Sequence, residues 1–174
     1  MVLSIARRGK KLALRDVPGL KLLVICGIWT MSVVGLPYLD LTLAGHPVGV
    51  GQILYIGLGN FLFLLICTLP FDIRDAKQDK LYELKTIPII IGDKRARIIC
   101  FAMLALHFFM VFVGDLPIAI QIGMLITNTL VLTVYCYLFS YKSKCIHTYM
   151  LDAILVIQSI LVWSFSVFGR EWLE

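Results

Sequence analysis

Long apolar stretches separated by short polar connections dominate the chain. Stretches without Asp, Glu, Lys or Arg occupy residues 22–39, 41–71, 98–114, 116–139 and 153–169. At about 1.5 Å per residue, a helix over each stretch can cross a hydrocarbon core of roughly 30 Å. Their apolar residues are continuous rather than alternating, which argues against a β-barrel. The pattern predicts an all-α, polytopic membrane protein with about five transmembrane helices in a single membrane domain, residues 1–174.

Composition narrows the class of protein further. Of the 174 residues, 60% are hydrophobic and only 16% are charged, and the mean hydropathy is +0.91. A water-soluble domain of this size has too little interior to bury so much apolar surface. Soluble globular domains and disordered chains are therefore excluded. The five cysteines form no C-x-x-C pair, so we expect free thiols in packing roles rather than a zinc site.

The positive charge is distributed in a way that predicts topology. Fifteen of the sixteen basic residues lie in or beside three polar segments, namely 1–19, 71–97 and 141–147, and only Arg170 lies elsewhere. Lys and Arg concentrate in cytoplasmic segments of membrane proteins. We therefore predict that the basic tail 1–19 and the aspartate-rich loop 71–97 are cytoplasmic, while the C-terminus is outside. The net charge of +5 is explained by topology, so no nucleic-acid partner is expected.

Three carboxylates follow the second apolar stretch at helical spacing. Asp72, Asp75 and Asp79 stand at positions i, i+3 and i+7. On a helix they fall within an arc of about 60°, while Arg74 and Lys77 project away from it. Such a face is typical of a site for a hard cation, and Mg²⁺ commonly binds one or two carboxylates together with substrate phosphate oxygens. The alternative is a solvated helix extension whose Asp and Lys residues form exposed ion pairs.

The motif around these aspartates resembles that of a known enzyme family. Residues 72–92 read D-I-R-D-A-K-Q-D-K-L-Y-E-L-K-T-I-P-I-I-I-G. The D-x-x-D-x-x-x-D spacing followed by K-T-I-P and a glycine resembles the second aspartate-rich motif of UbiA-type intramembrane prenyltransferases. Glu83 stands where that motif usually has glycine. The D-x-x-D-G-x-x-A-R signature of CDP-alcohol phosphotransferases does not fit, because Ala76, Asp79 and Lys80 occupy its Gly, Ala and Arg positions.

The resemblance extends over most of the chain but omits half of the family's site. Residues 14–21, L-R-D-V-P-G-L-K, are similar to the start of the family's fifth helix, so the five predicted spans resemble helices five to nine of nine. No other pair of acidic residues forms the family's first motif, N-D-x-x-D. Lys10 and Lys11 lie where a Y-x-x-x-K motif is expected, but its tyrosine is missing. We therefore expect an incomplete or C-terminal portion of such an enzyme.

The resemblance implies an activity and a set of site residues. The family transfers a prenyl group from an allylic diphosphate to an aromatic or alcohol acceptor in isoprenoid or quinone biosynthesis, with Mg²⁺ as cofactor. By resemblance, metal ligands are Asp72, Asp75 and Asp79, and Lys85 contacts the diphosphate. Arg74 and Lys77 are weaker candidates for the same contact. The implied partners are an allylic or polyprenyl diphosphate, the lipid bilayer and a chain carrying the first aspartate motif.

Two other classes of function remain open at this point. The first is a non-catalytic membrane subunit that supplies one aspartate motif to another chain. The second is a small carrier, which is disfavoured because no Asp, Glu, Lys or Arg lies at mid-depth of any predicted span. His107 and Asn128 do lie in mid-span, and we interpret them as polar contacts between neighbouring helices rather than as catalytic groups.

Overall fold

The computed structural model describes residues 5–7, 10–12, 19–46, 49–81, 86–140 and 146–171. Side chains are described for residues 19–46, 49–81, 86–139 and 150–164. Two short strands, β1 (Ile5–Arg7) and β2 (Lys10–Leu12), pair antiparallel with Ile5 opposite Leu12. The helices are α1 (Leu20–Thr30), α2 (Leu36–Leu43), α3 (Val50–Leu81), α4 (Ile87–Ile91), α5 (Asp93–Val113), α6 (Ile118–Ser140) and α7 (Ile146–Glu171).

Four helical segments of the described chain are long and apolar enough to cross a bilayer. They are Leu20–Leu43, Val50–Leu81, Asp93–Val113 and Ile118–Phe139. The fifth predicted span falls in α7, where Met150–Ser164 is a shorter apolar helix within the described side chains. The prediction of a helical, multi-pass integral membrane protein is confirmed. The chain divides into two units, Met1–Ile99 and Cys100–Glu174.

The first span in unit Met1–Ile99 is interrupted by a change of helical geometry. A π-helical segment, Met31–Gly35, joins α1 to α2, and the helical span continues to Leu43, beyond the apolar stretch 22–39. Ser32 Oγ donates a hydrogen bond to the Ile28 carbonyl oxygen at 2.9 Å. A π segment inserts an extra residue into the helical turn and shifts the faces that follow it.

Helices α1 and α3 pack against each other as an antiparallel pair. Leu22 and Cys26 are the buried residues of α1 and lie one turn apart. The Cys26 thiol and the Thr68 hydroxyl form a hydrogen bond at 3.4 Å across the pair. At the beginning of α1, a Cβ added to Gly19 would lie 2.9 Å from the Ile87 side chain. Residue 19 therefore faces residue 87 while residue 26 faces residue 68, which is the order expected of an antiparallel arrangement. The start of α1, the end of α3 and α4 therefore lie at one end of this unit.

Helix α3 is longer than a bilayer requires. It continues through the buried Pro70 to Leu81, and its 32 residues measure about 48 Å at 1.5 Å each. The apolar part ends at Pro70, so residues 71–81 extend past a hydrocarbon core of roughly 30 Å. Segment 71–97, which we expected to be a polar loop, is helical over 71–81, 87–91 and 93–97.

In unit Cys100–Glu174, α6 and α7 pack against each other. Val131 and Tyr135 of α6 and Leu151 and Ile154 of α7 are buried. The Tyr135 ring also lies 5.5 Å, centroid to centroid, from the Phe101 ring in an edge-to-face arrangement. Such a pair contributes about 0.5–1.5 kcal/mol beyond the area that it buries.

The charge distribution makes a prediction about orientation. Single cysteines introduced at Lys77 and at Glu174, in a chain without its native cysteines, should label from opposite sides of the membrane. We expect Lys77→Cys to react with an impermeant maleimide only after permeabilisation, and Glu174→Cys to react in intact cells. Asp115→Cys, in the connection 114–117, should behave like Glu174→Cys. The reverse pattern would contradict a cytoplasmic position for the aspartates.

Candidate functional site

The three aspartates lie on the extension of α3 beyond its apolar part. Because α3 is continuous through Leu81, Asp72, Asp75 and Asp79 occupy the helical face that their spacing predicts. All three are half-buried, whereas Ile73 and Ala76 on the inner side of the same helix are buried. The helix is therefore anchored by apolar contacts while it presents its carboxylates at the edge of the packed region.

Arg74 is bound to one of these carboxylates. Its Nε donates to Asp75 Oδ1 at 2.7 Å and its Nη2 donates to Asp75 Oδ2 at 2.8 Å. The guanidinium carbon also lies 5.4 Å from the centre of the Phe71 ring. We expected Arg74 to project away from the aspartate face, but its long side chain bends back to its neighbour. The hydrogen bond from Arg74 lowers the pKa of Asp75, although partial burial opposes that shift.

Asp72 has the opposite electrostatic character. Burial raises the pKa of its carboxyl group, and the negative charge of Asp79 raises it further. Lys21 acts in the other direction on Asp72, and Asp75 adds a smaller repulsion. A carboxylate that is half-buried and repelled by two neighbours is costly to ionise, and a bound cation would offset that cost. Asp72 is therefore the carboxylate of this face best suited to a metal ion.

Lys21 is a member of the site that sequence reasoning missed. We assigned it to the basic region near the N-terminus, where its charge served only as a topology signal. The structure brings it from the first turn of α1 to the aspartate face, and its charge lowers the pKa of both Asp72 and Asp75. No spacing along the chain signals this proximity, because some fifty residues separate Lys21 from Asp72 and the proximity depends on how α1 packs on α3.

The other two cations assigned to the diphosphate are less well defined. Lys77 is exposed on α3, as its helical position predicts. Lys85 lies outside the described residues.

The next residue of the motif, Thr86, precedes α4 in an extended conformation. Its hydroxyl oxygen is inaccessible to solvent and has no hydrogen-bond partner within the described part of the chain. That oxygen is a buried polar group which a ligand could satisfy.

The glycine that ends the motif is explained by its backbone conformation. Gly92 separates α4 from α5 and has φ +84° and ψ 151°, a combination that is essentially restricted to glycine. Its N–H donates to the Pro88 carbonyl at 2.9 Å, and its own carbonyl accepts from the Ala96 N–H at 3.0 Å. Gly92 therefore allows the chain to leave one helix and begin the next within a single residue.

The carboxylate oxygens of this face are ligands that Mg²⁺ prefers, but they are not arranged as an enclosed metal site. Among the described residues, no group of three or more His, Cys, Asp or Glu side chains is close enough to enclose a metal ion. Mg²⁺ does not need such an enclosure, since it commonly keeps water molecules and binds one or two carboxylates plus phosphate oxygens. Asp72 and Asp79 supply oxygen ligands of that kind, whereas both oxygens of Asp75 accept hydrogen bonds from Arg74.

A second polar contact lies inside unit Cys100–Glu174. His107 and Asn128 are 2% and 0% exposed, and His107 Nδ1 lies 2.8 Å from Asn128 Oδ1. This confirms the interpretation of both residues as an interhelical contact, here between α5 and α6. Among the described cysteines, Cys26, Cys67, Cys100 and Cys136 form no disulfide; the first three are buried, as the predicted packing role requires, whereas Cys136 is exposed. Cys145 lies outside the described residues.

The His107–Asn128 contact makes a stability prediction. His107→Leu and Asn128→Leu should each destabilise the chain, and the double variant should lose less than the sum because each single variant already removes the contact between the two side chains. We expect a coupling of about 1 kcal/mol, as is typical of hydrogen bonds between membrane helices. Reversible unfolding by SDS in mixed micelles would measure it. Thr129→Val, which changes an exposed side chain of α6, is the control, and strict additivity would contradict the coupling.

Comparisons of the chain with protein-family models, with curated proteins and with solved structures give no match. The resemblance to UbiA-type enzymes therefore depends on the motif in residues 72–92 and on the arrangement of apolar spans. Since a fold supports many functions, the functional argument has to come from the chemistry of the aspartate face and its neighbours.

Proposed function

We propose that this chain takes part in Mg²⁺-dependent transfer of a prenyl group from an allylic diphosphate to an aromatic or alcohol acceptor, as an incomplete or C-terminal portion of a UbiA-type prenyltransferase. The observation that carries the proposal is the half-buried aspartate face on the extension of α3, beyond the apolar part of that helix. The face combines the residue types, the spacing and the location that binding of a metal diphosphate at a membrane surface requires.

Each residue has a defined part in this proposal. Asp72 and Asp79 supply the oxygen ligands of the cation, and Asp75 joins them when Arg74 releases it to contact a phosphate oxygen. Arginine binds carboxylate and phosphate with the same planar set of N–H donors, so this exchange conserves hydrogen bonds. Bound Mg²⁺ would neutralise the diphosphate leaving group. Lys85 and Lys77 add positive charge on the same polar segment.

The surroundings of the face suit an amphiphilic substrate. Directly before Asp72, α3 is apolar and partly buried, with Ile66, Cys67 and Leu69 in its packed side. A prenyl diphosphate has a long apolar tail and a multiply charged head, so it divides between hydrocarbon and an aqueous surface. A cation site at the junction of an apolar helix and its polar extension meets both requirements.

A second candidate function is that of a non-catalytic membrane subunit which supplies one aspartate motif to another chain. One sequence observation favours it, namely that residues 1–174 contain a single D-x-x-D-x-x-x-D motif and no N-D-x-x-D. Both functions require the cation and the diphosphate to bind at the same face, and they differ in whether this chain turns over a substrate by itself.

The experiment that tests the proposal is equilibrium binding of an allylic diphosphate to the full chain in lipid nanodiscs. Binding should depend on Mg²⁺, disappear with EDTA and depend on Asp72. Absence of any Mg²⁺-dependent binding by the unmodified chain would overturn the proposal.

A further inference from the structure

Lys21 stands beside the aspartate face without being bound to it. Its side chain is exposed, and within the described residues it forms no ion pair shorter than 4 Å. The ammonium group is therefore available to an anionic partner.

The packing of α1 on α3 explains this position. From the contact between Cys26 and Thr68, Lys21 lies five residues back along α1, about 7.5 Å at 1.5 Å per residue. Along α3, Asp72 and Asp75 lie four and seven residues beyond Thr68, about 6 Å and 10.5 Å at the same rise. Because the helices are antiparallel, Lys21 is level with the segment between the two aspartates.

Other features at this end of the unit also favour an anion. The hydroxyl of Thr86 is a buried oxygen without a partner among the residues that the structure describes. Thr86 precedes Ile87, whose side chain lies against Gly19, two residues before Lys21. Gly19 is the N-cap residue of α1, and no side chain at that position accepts a hydrogen bond from the first N–H groups of the helix. Such N–H groups carry partial positive charge.

We infer that Lys21 is a diphosphate-binding residue, which contacts the phosphate oxygens of a substrate whose Mg²⁺ is held by the neighbouring aspartates. This inference rests on the proposed function. It differs from that proposal by assigning a role to a helix, α1, that carries none of the motif residues. The aspartates and the cation would bind one side of the diphosphate, and the ammonium group of α1 would bind another.

Binding of the cation and binding of the anion can be measured separately. The full chain in nanodiscs would be titrated with Mn²⁺, observed by electron paramagnetic resonance, and with radiolabelled inorganic diphosphate in the presence of Mg²⁺. Lys21→Gln should weaken diphosphate binding about tenfold, the usual size of one charge-assisted contact. It should leave Mn²⁺ binding unchanged or stronger, because a positive charge near the carboxylates has been removed. Lys21→Arg should retain diphosphate binding.

The matched control is Lys94→Gln. Lys94 is an exposed lysine in the same unit, and its variant should bind both probes like the unmodified chain. Equal thermal unfolding temperatures would show that the variants are folded. The inference is wrong if Lys21→Gln keeps full diphosphate affinity, or if it loses Mn²⁺ and diphosphate in parallel, since a parallel loss indicates a role in positioning the aspartates only.

The outcomes also separate this inference from the proposed function. If the unmodified chain shows no Mg²⁺-dependent diphosphate binding, both fail. If it binds, and Asp72→Asn abolishes binding while Lys21→Gln does not reduce it, the proposed function stands and the assignment of Lys21 fails.

Discussion

Asp72→Asn should reduce Mg²⁺-dependent binding of an allylic diphosphate by about 100-fold, which corresponds to about 2.7 kcal/mol. The reason is that carboxylates hold a diphosphate anion only through a bridging cation, and an amide is a much weaker ligand for Mg²⁺. Among the three aspartates, Asp72 should contribute most to cation binding because its carboxylate is half-buried and is repelled by Asp79. A cation that relieves this repulsion gains affinity that an exposed carboxylate cannot supply.

Asp75→Asn should have a smaller effect of the same sign. Both oxygens of Asp75 accept hydrogen bonds from Arg74, so the loss of its charge also frees the guanidinium group for the phosphate. The two effects partly offset each other. Asp40→Asn at the opposite end of the first span and Glu174→Gln should leave binding unchanged, and they serve as controls. Equal binding by the Asp72, Asp75 and control variants would refute the metal site.

The loss of binding can be distinguished from unfolding. The pKa of Asp72 is raised, mainly because burial disfavours its charged form and next because Asp79 repels it. At neutral pH the ionised Asp72 therefore costs folding free energy, and a neutral Asn removes that cost. Asp72→Asn should have an unfolding temperature equal to or higher than that of the unmodified chain. A clear decrease would mean that the carboxylate has a structural role.

Local patterns predicted much of this architecture because they depend on residues close together in the chain. The apolar stretch 41–71 predicted α3, and the spacing of Asp72, Asp75 and Asp79 predicted their common face. The extension of α3 past Pro70 was considered only as an alternative to a polar loop, because proline and polar residues both favour a helix end. Here the buried Ile73 and Ala76 maintain the helix through packing.

Features that depend on tertiary contacts escaped prediction. The approach of Lys21 to Asp72 requires the pairing of α1 with α3, and no periodicity within either helix specifies the register of that pairing. The π-helical segment Met31–Gly35 contains no proline that would have marked an irregularity. The bond from Arg74 to Asp75 was missed for another reason, since a helical projection locates the Cβ atom but not the end of a long, flexible side chain.

The largest effect that we expect concerns turnover by residues 1–174. A diphosphate leaving group carries several negative charges, and the family that this chain resembles neutralises them from two aspartate motifs. One aspartate face leaves the opposite side of the substrate without metal ligands. The purified chain should therefore bind the diphosphate but transfer its prenyl group at least about 100-fold to 1,000-fold more slowly than a complete site, the usual effect of losing preorganised electrostatic stabilisation.

Co-expression with a chain that carries N-D-x-x-D helices should restore transfer, and Asp72→Asn in the present chain should abolish the restored activity. Restoration that is independent of Asp72 would mean that the second chain acts alone. The oligomeric state decides how activity of the isolated chain is interpreted, because two copies related by a two-fold axis could each contribute one aspartate face. Efficient turnover by a verified monomer would refute incompleteness, since it would demonstrate that a single aspartate motif, assisted by cations such as Lys21, suffices for catalysis.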